Sequence, residues 1–548
     1  MKYLKNKLRK GFTLIELLAV IVILAVIALI ATPRIMAAIE QARKEAFRND
    51  VYGVVKAAER DYVKRLLDEE KVFVTYEFED YVQTVNPSHV DDLNFTGSGP
   101  KNGVITVDEG GNIQFALHDD NWCGKLDENG EVILEDLSES SCEVGASSYT
   151  WINRYDLNSY TYLSNALKGD ENNYAVFGTT FDGSGDAVFM NVSRSGELIW
   201  SKTLGGSNTE SILDSAKTND GHFYAVGQSD SNDGDLSGLN NGQQDAIIIK
   251  YDSDGEPVWI RNFGGSENDM FYSVKATPDG GAIVSGEASS SDGDMTGLNI
   301  GQSAAILVKY DSDGEIEWST SFGGSFQDLF NSVTVTSAGN FVAVGYSTSS
   351  DGDLSDINVS FLKGIVVKFD SSGNVIWKNA FGDPDGSGVF NSVSESSDGG
   401  IIVSGRADLP NSDNRGSFSD AVTVKYNSLG EVEWYTVFGG SDSDVLFSVK
   451  QTSDGGYIAS GYSYSNDQDM EGISNDDSLG LVIKYDSTGN IEWFRTFGGT
   501  DWEELRSISL SHSDGFIIVG ESWSDDGDFE EFYGDGSLVI KIDSQGDF

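Results

Sequence analysis

Carboxylates at fixed spacing are the chemistry this sequence offers most often. Asp233-Gly234-Asp235, Asp292-Gly293-Asp294, Asp351-Gly352-Asp353 and Asp526-Gly527-Asp528 recur along the C-terminal part of the chain, with Asp467-Gln468-Asp469 as a variant. A second acidic position follows each Gly-Gly-Ser/Thr: Glu210, Asp269, Asp328, Asp444 and Glu503 stand three residues beyond the Ser or Thr. Carboxylates clustered on glycine-rich loops suit Ca2+, which takes several oxygen ligands in flexible geometry. Asp233, Asp235, Asp292, Asp294, Asp351, Asp353, Asp526 and Asp528 are therefore candidate calcium ligands. The same residue types also suit tight turns, where Asp caps loop backbone and Gly accepts left-handed conformations. The full interleaved carboxylate loop of an EF-hand is absent. Asp252-Ser253-Asp254-Gly255 and its equivalents read as hairpin turns.

Other chemistry is sparse. His89, His118, His222 and His512 form no motif, and neither a nucleophile elbow nor a zinc spacing occurs. Asp and Glu are too abundant to single out a glycosidase pair, so the chain does not read as an enzyme. Leu409-Pro410-Asn411-Ser412-Asp413-Asn414-Arg415 replaces one Asp-Gly-Asp loop. Arg406 and Arg415 there are rare cations in an acidic region and mark a candidate ligand site. Trp502 and Trp523 fall outside the register of the recurring tryptophans and are candidates for a binding surface.

These residues are positioned by a repeat. Trp200, Trp259, Trp318, Trp377, Trp434 and Trp493 stand 59, 59, 59, 57 and 59 residues apart. Each interval holds four runs of strand length separated by Gly/Asp turns, the content of one propeller blade. The last interval stops at Lys541-Ile542-Asp543-Ser544-Gln545-Gly546 without its tryptophan strand. Trp151-Ile152-Asn153-Arg154-Tyr155 matches that missing strand and should close the ring, giving seven blades over residues 147–548. In such a meander both acidic loops emerge on one face. The unit Lys309-Tyr310-Asp311-Ser312-Asp313-Gly314-Glu315-Ile316-Glu317-Trp318 resembles secreted bacterial propellers with a tryptophan-docking strand. That resemblance implies that the recurring tryptophans pack between blades, and it says little about activity.

The N-terminal stretch is different. Lys2, Lys5, Lys7, Arg9 and Lys10 precede Gly11-Phe12-Thr13-Leu14-Ile15-Glu16, and Leu17 to Ala31 carries no charge. A carboxylate kept inside an apolar segment calls for a partner. Lys10-Gly11-Phe12-Thr13-Leu14-Ile15-Glu16 resembles the type IV pilin and pseudopilin signature. The resemblance implies a leader at residues 1–11, cleavage between Gly11 and Phe12 by a prepilin peptidase, and N-methylation of Phe12. It also implies filament assembly through Glu16, with other pilin subunits as partners. Ile35, Ile39, Ala42, Ala46, Val51, Val54, Ala58, Tyr62 and Leu66 continue at helical spacing, so one long helix is expected over residues 12–68, its transmembrane part over 12–32. Alternating runs and Gly/Pro/Asn turns over residues 69–146 predict a small antiparallel sheet, the globular head of a pilin. Cys123 and Cys142 lie beyond the anchor, hence outside the cell on this reading, where a disulfide is favoured.

Charge limits the partners. The net charge is −52; residues 151–548 hold 20 basic and 63 acidic groups, or −43. Such a surface repels phosphate backbones, and no nucleic-acid partner is expected. Overall the chain reads as multidomain: a long helix, a small α+β pilin head and an all-β seven-bladed propeller. The expected function is a minor, tip-located pilin-like subunit, first in the cytoplasmic membrane and then on a pilus or pseudopilus, displaying the propeller for adhesion to a glycan or protein. A pseudopilin with a scaffolding propeller, and a surface-displayed carbohydrate-active enzyme, are the alternatives.

Overall fold

The computed structural model describes the chain from residue 41 onward, apart from residues 42, 59, 63, 66–73, 80–81, 87–92, 96–99, 108–112, 120, 127–131, 137–149, 156, 158–159, 170–172, 299–300, 358–361, 382–385, 410–418, 474–476, 512–514, 531–535 and 548. The leader, Phe12, Glu16, the apolar run and Cys142 lie outside the described residues, as do Arg415 and most of its loop. Among the described residues no helix is long and apolar enough to cross a membrane. Two compact units appear, Met1–Ser147 and Ser148–Phe548.

In the first unit, the described residues between 41 and 65 are helical. Phe47, Val51, Val54 and Ala58 form the buried face, at the three- and four-residue spacing of an amphipathic helix. The sequence pattern placed Ala46 on this face. Ala46 is exposed, because it lies one residue, about 100° of helix, away from the Phe47 row. The face packs on a six-stranded antiparallel sheet in the order Val82–Asn86, Val74–Glu79, Asn102–Val107, Ile113–His118, Trp122–Leu126, Val132–Asp136. Two of these strands escaped the alternation pattern. Val82–Asn86 carries only two apolar residues, and Trp122–Leu126 is interrupted by Gly124, where a Cβ would come within 2.9 Å of Val51. Asp61 ties helix to sheet: it pairs with Arg65 at 2.8 Å and accepts from the Tyr76 hydroxyl at 2.5 Å. Cys123 is buried and disulfide-bonded.

In the second unit, the described residues form seven four-stranded antiparallel sheets. Six run as consecutive meanders. The seventh takes three strands from Glu503–Ile542 and its outermost strand, Trp151–Arg154, from the start of the unit. Trp151 aligns with Lys541 and Arg154 with Leu538, so the chain closes its own ring and covers the edge that Gly536–Ile542 would otherwise leave open. The third strand of each blade is sandwiched between neighbouring blades, which is why Asp245–Tyr251 is buried throughout and reads as a continuous apolar run. The outermost strand Pro257–Phe263 is half-exposed. Its tryptophan docks on the next blade. Trp259 Nε1 donates to Ser312 O at 3.2 Å, and the ring lies over Gly314, whose φ of +81° and missing Cβ allow the approach. Trp318 on Gly373 and Trp151 on Gly196 repeat the contact.

Candidate functional site

The recurring acidic loops come together, their carboxylates facing backbone amides of the neighbouring Gly-Gly loop. Asp233 Oδ1 accepts from Ser207 N at 2.7 Å and Asp235 Oδ2 from Gly205 N at 3.2 Å. Asp292 and Asp294 accept from Ser266 N and Gly264 N at 2.8 and 3.1 Å. Asp351 and Asp353, and Asp526 and Asp528, do the same in their blades. Each middle glycine is left-handed, with φ of +58° to +61°. In the variant loop Gln468 carries φ 55° without being glycine. Both acidic loops thus share one face, and the candidate calcium ligands serve as caps on amide donors. Among the described residues no group of three or more His, Cys, Asp or Glu could hold a metal ion.

The second acidic position lies beneath. Asp444 is fully buried. It accepts from Gly440 N at 3.0 Å and from the Ser465 hydroxyl at 2.9 Å, and also from Ser463. Asp269 and Asp328 repeat this scheme, and Glu210 and Glu503 fill it with one more methylene. Burial pushes all five carboxyls up, Asp444 to about 6, against the serine and amide donors.

The seven innermost strands surround a central channel, and here the repeat gives way to variety. Each strand carries a β-bulge, at Ser164, Leu213, Tyr272, Asn331, Asn391, Phe447 and Arg506. A bulge re-aims the extra residue, and all seven line the channel. The residue after each bulge belongs to a belt that circles the ring. Ser507 Oγ donates to Asn165 Oδ1 at 2.9 Å, Asn165 Nδ2 to Asp214 Oδ1 at 2.7 Å, and Ser273 Oγ to Asp214 Oδ2 at 2.7 Å. Val333 N donates to Ser273 Oγ, Val393 N to Ser332 Oγ, Val449 N to Ser392 Oγ, and Ser448 Oγ to Ile508 O, at 3.2–3.4 Å. The belt closes on itself and fixes the register of neighbouring blades. The bulge residues above it are free to differ.

On the acidic-loop side the channel opens into a cavity of about 500 Å3 lined by Tyr162, Phe181, Met270, Tyr272, Phe447 and Arg506 among others. The Arg506 guanidinium lies 5.1 Å from the Tyr162 ring and 5.2 Å from the Phe447 ring, and pairs with Glu504 at 2.8 Å. Glu504 stands opposite Glu521 across the strand pair, and Glu521 accepts from the Tyr160 hydroxyl at 3.1 Å. Burial raises Glu521 and lifts Glu504 to about 7, with Arg506 opposing in both. Aromatic contacts extend the rim: Phe447 to Tyr462 at 5.7 Å, Tyr462 to Tyr464 at 5.5 Å, and Tyr160 to Phe181 at 6.0 Å. Trp502 and Trp523 pair edge-on at 5.9 Å. Trp523 is 48% exposed. The rim is lopsided: its aromatic and charged residues are densest in the sixth, seventh and first blades, with a smaller cluster in the third, where Tyr272 donates to Glu287 at 3.0 Å.

Of the ligand candidates, Trp502 and Trp523 sit in this sector. Arg406 is half-buried in the second strand of the fifth blade, where its charge bears on the Tyr346 and Tyr462 hydroxyls. Sequence reasoning missed Tyr162, Tyr272, Phe447, Arg506, Glu504 and Glu521. The signal was present: aligned on the acidic residue after Gly-Gly, the strands read Glu-Ser-Ile-Leu, Asp-Met-Phe-Tyr, Asp-Leu-Phe-Asn, Asp-Val-Leu-Phe and Glu-Glu-Leu-Arg, repetitive at the first and third positions and free at the fourth.

The prokaryotic N-terminal methylation motif matches residues 6–32. The regulatory protein FlaEY of Caulobacter vibrioides is 26% identical over 201 residues, 33% of this chain and 20% of that protein, so the chain matches about a fifth of its length. Among solved structures, the Pan2 WD40 domain of Neurospora crassa is similar at 10% identity and a TM-score of 0.43, over 72% of this chain and 96% of that one. YCF48 from Cyanidioschyzon merolae is similar at 11% identity and a TM-score of 0.36, over 72% and 99%. The chain joins a prepilin-type N-terminal methylation motif to a seven-bladed all-β propeller.

Proposed function

We propose that this protein is a pilin-like subunit that carries its propeller outside the cell as a recognition head, with the lopsided channel mouth as the ligand site. The observation that carries the reading is the contrast between repeated loops whose acids cap backbone and a mouth whose aromatic, Arg and Glu residues break the repeat. Aromatic faces beside carboxylates and an Arg suit a glycan: ring C–H faces stack on aromatics while hydroxyls find polar partners. The methylation motif supports cleavage after Gly11, methylation of Phe12 and insertion of residues 12–32 into the membrane before assembly. Glu16 then meets the free amine of a neighbouring subunit in the filament core. The six-stranded sheet with its helix serves as the pilin head.

The subunit is a minor one at the filament tip. A domain of ~400 residues has a radius of gyration of ~21 Å, whereas packed helices lie ~8–10 Å apart, so heads of this size do not stack along a shaft. Immunogold labelling should mark filament ends; dense labelling along whole filaments would refute the tip assignment. Mass spectrometry of the mature chain should find methylated Phe12 as its first residue. A glycan panel probed with the full-length protein in detergent should show saturable binding that Tyr162→Ala weakens. Binding untouched by that change would move the ligand away from the mouth.

A further inference from the structure

Beyond the bulge ring the channel holds a second cavity, of about 530 Å3. Its position in an acidic propeller is unexpected, because its charged lining is Asp214, Lys217, Lys275, Lys450 and Arg506, four cations to one anion. Two of the cations are committed elsewhere: Lys217 donates to Gly169 O at 2.8 Å and Arg506 pairs with Glu504. Lys275 and Lys450 remain, three residues past the bulge in their strands and so about 10 Å deeper along the channel.

Asp214 does not balance both lysines. It already accepts from Lys275 at 2.9 Å, from Ser273 Oγ at 2.7 Å, from Val274 N at 3.0 Å and from Asn165 Nδ2 at 2.7 Å. Burial pushes its carboxyl up and these donors more than reverse the effect, leaving it below the usual range. Among the described residues the Lys450 ammonium has neither a hydrogen-bond nor an ion-pair partner. Burial and the neighbouring Lys275 press it down to about 8, with Asp214 opposing. Lys450 is part-buried, so its ammonium reaches the channel, and beside a like charge, with the one nearby carboxylate saturated, it is open to an incoming anion. The remaining wall supplies neutral hydroxyl and amide groups, including Ser332, Ser392, Ser507, Asn331 and Asn391.

We infer that Lys450, with Lys275 beside it, receives the carboxylate of an acidic sugar whose hydroxyls meet the serine and asparagine wall. This rests on the mouth being a glycan site, and it names the ligand class: a uronate-bearing oligosaccharide entering the channel end-on.

The test is calorimetric titration of the full-length protein in detergent with an oligogalacturonate and with its fully methyl-esterified form, which keeps the rings and removes the charge. The acid should bind about tenfold or more tighter than the ester, the scale of a charge-assisted hydrogen bond. Lys450→Gln should erase that preference by bringing acid binding down to the level of the ester, with the melting temperature unchanged, and Lys450→Arg should restore most of it. Equal binding of acid and ester to the unaltered protein overturns the lysine site and leaves the mouth standing as a neutral glycan site. An acid preference that survives Lys450→Gln also overturns it. Binding of neither ligand overturns the uronate assignment, and the Tyr162→Ala glycan panel then judges the mouth separately.

Discussion

The acidic loops and the channel mouth lie on the same face of the ring, yet they obey opposite rules. In the loops, the same Asp-Gly-Asp and buried acid recur in blade after blade, and their carboxylates point at amides and hydroxyls of their own blade. At the mouth, the bulge ring carries a Ser, a Leu, a Tyr, two Asn, a Phe and an Arg. A repeated polar residue has the same local partners in every copy, so its work is local and structural. A position that varies within an otherwise repeated frame is released from that work. In this chain charge density is therefore a poor guide to function, and departure from the repeat is a better one.

The largest expected effect falls on the frame. Deleting residues 148–156 removes the closing strand and exposes the edge of Gly536–Ile542. The propeller should lose its cooperative unfolding transition and aggregate, as scattering and circular dichroism will report. A single frame acid comes next. Asp444→Ala leaves the Gly440 amide and the Ser463 and Ser465 hydroxyls without their acceptor, and should cost ~2–4 kcal/mol in urea unfolding. If it costs no more than Asn331→Ser in the bulge ring, for which ~0.5–1.5 kcal/mol is expected from the lost bond to Phe390 O, the distinction between frame and mouth collapses.

Acidity sharpens the same contrast. The buried frame acids have folded pKa values raised above their unfolded ones, Asp444 to about 6. Each binds more protons folded than unfolded between those values, so its stability contribution is complete below the unfolded pKa and is lost as pH rises through the folded one. The melting temperature should rise on going from pH 7 to pH 5, and Asp444→Asn should flatten that rise. The smallest effect is a gain. Gln468 holds a left-handed backbone that its counterparts assign to glycine, and Gln468→Gly should stabilise by ~0.5–1 kcal/mol without affecting ligand binding.

Much of the frame was legible in the sequence because its causes are local. The tryptophan spacing announced four strands per repeat, the Gly at each hairpin turn announced a left-handed residue, and Trp151 announced the closing strand by matching what the last repeat lacked. The shared face of the acidic loops followed from meander topology. Asp233, Asp292, Asp351 and Asp526 cap amides, a role that sequence does not separate from Ca2+ binding because the same residue types serve both. The mouth was harder to read. Arg506, Tyr162 and Phe447 meet across blades separated by some 60 residues each or by the whole ring, and only closure places the seventh blade beside the first. Trp502 and Trp523 were visible because they broke the register; the bulge residues broke it too, one strand deeper.

The most direct measurement compares two exposed aromatics on one face. Trp523, 48% exposed, belongs to the mouth sector, and Phe326, 50% exposed, lies in the loop leading into the fourth blade, outside it. Surface binding of the full-length protein to the glycan that scores highest on the panel should fall by about tenfold or more with Trp523→Ala, the scale of a stacking contact at a binding hot spot, and should not change with Phe326→Ala. Equal loss in both variants, or loss only with Phe326→Ala, would contradict a ligand site at the lopsided mouth.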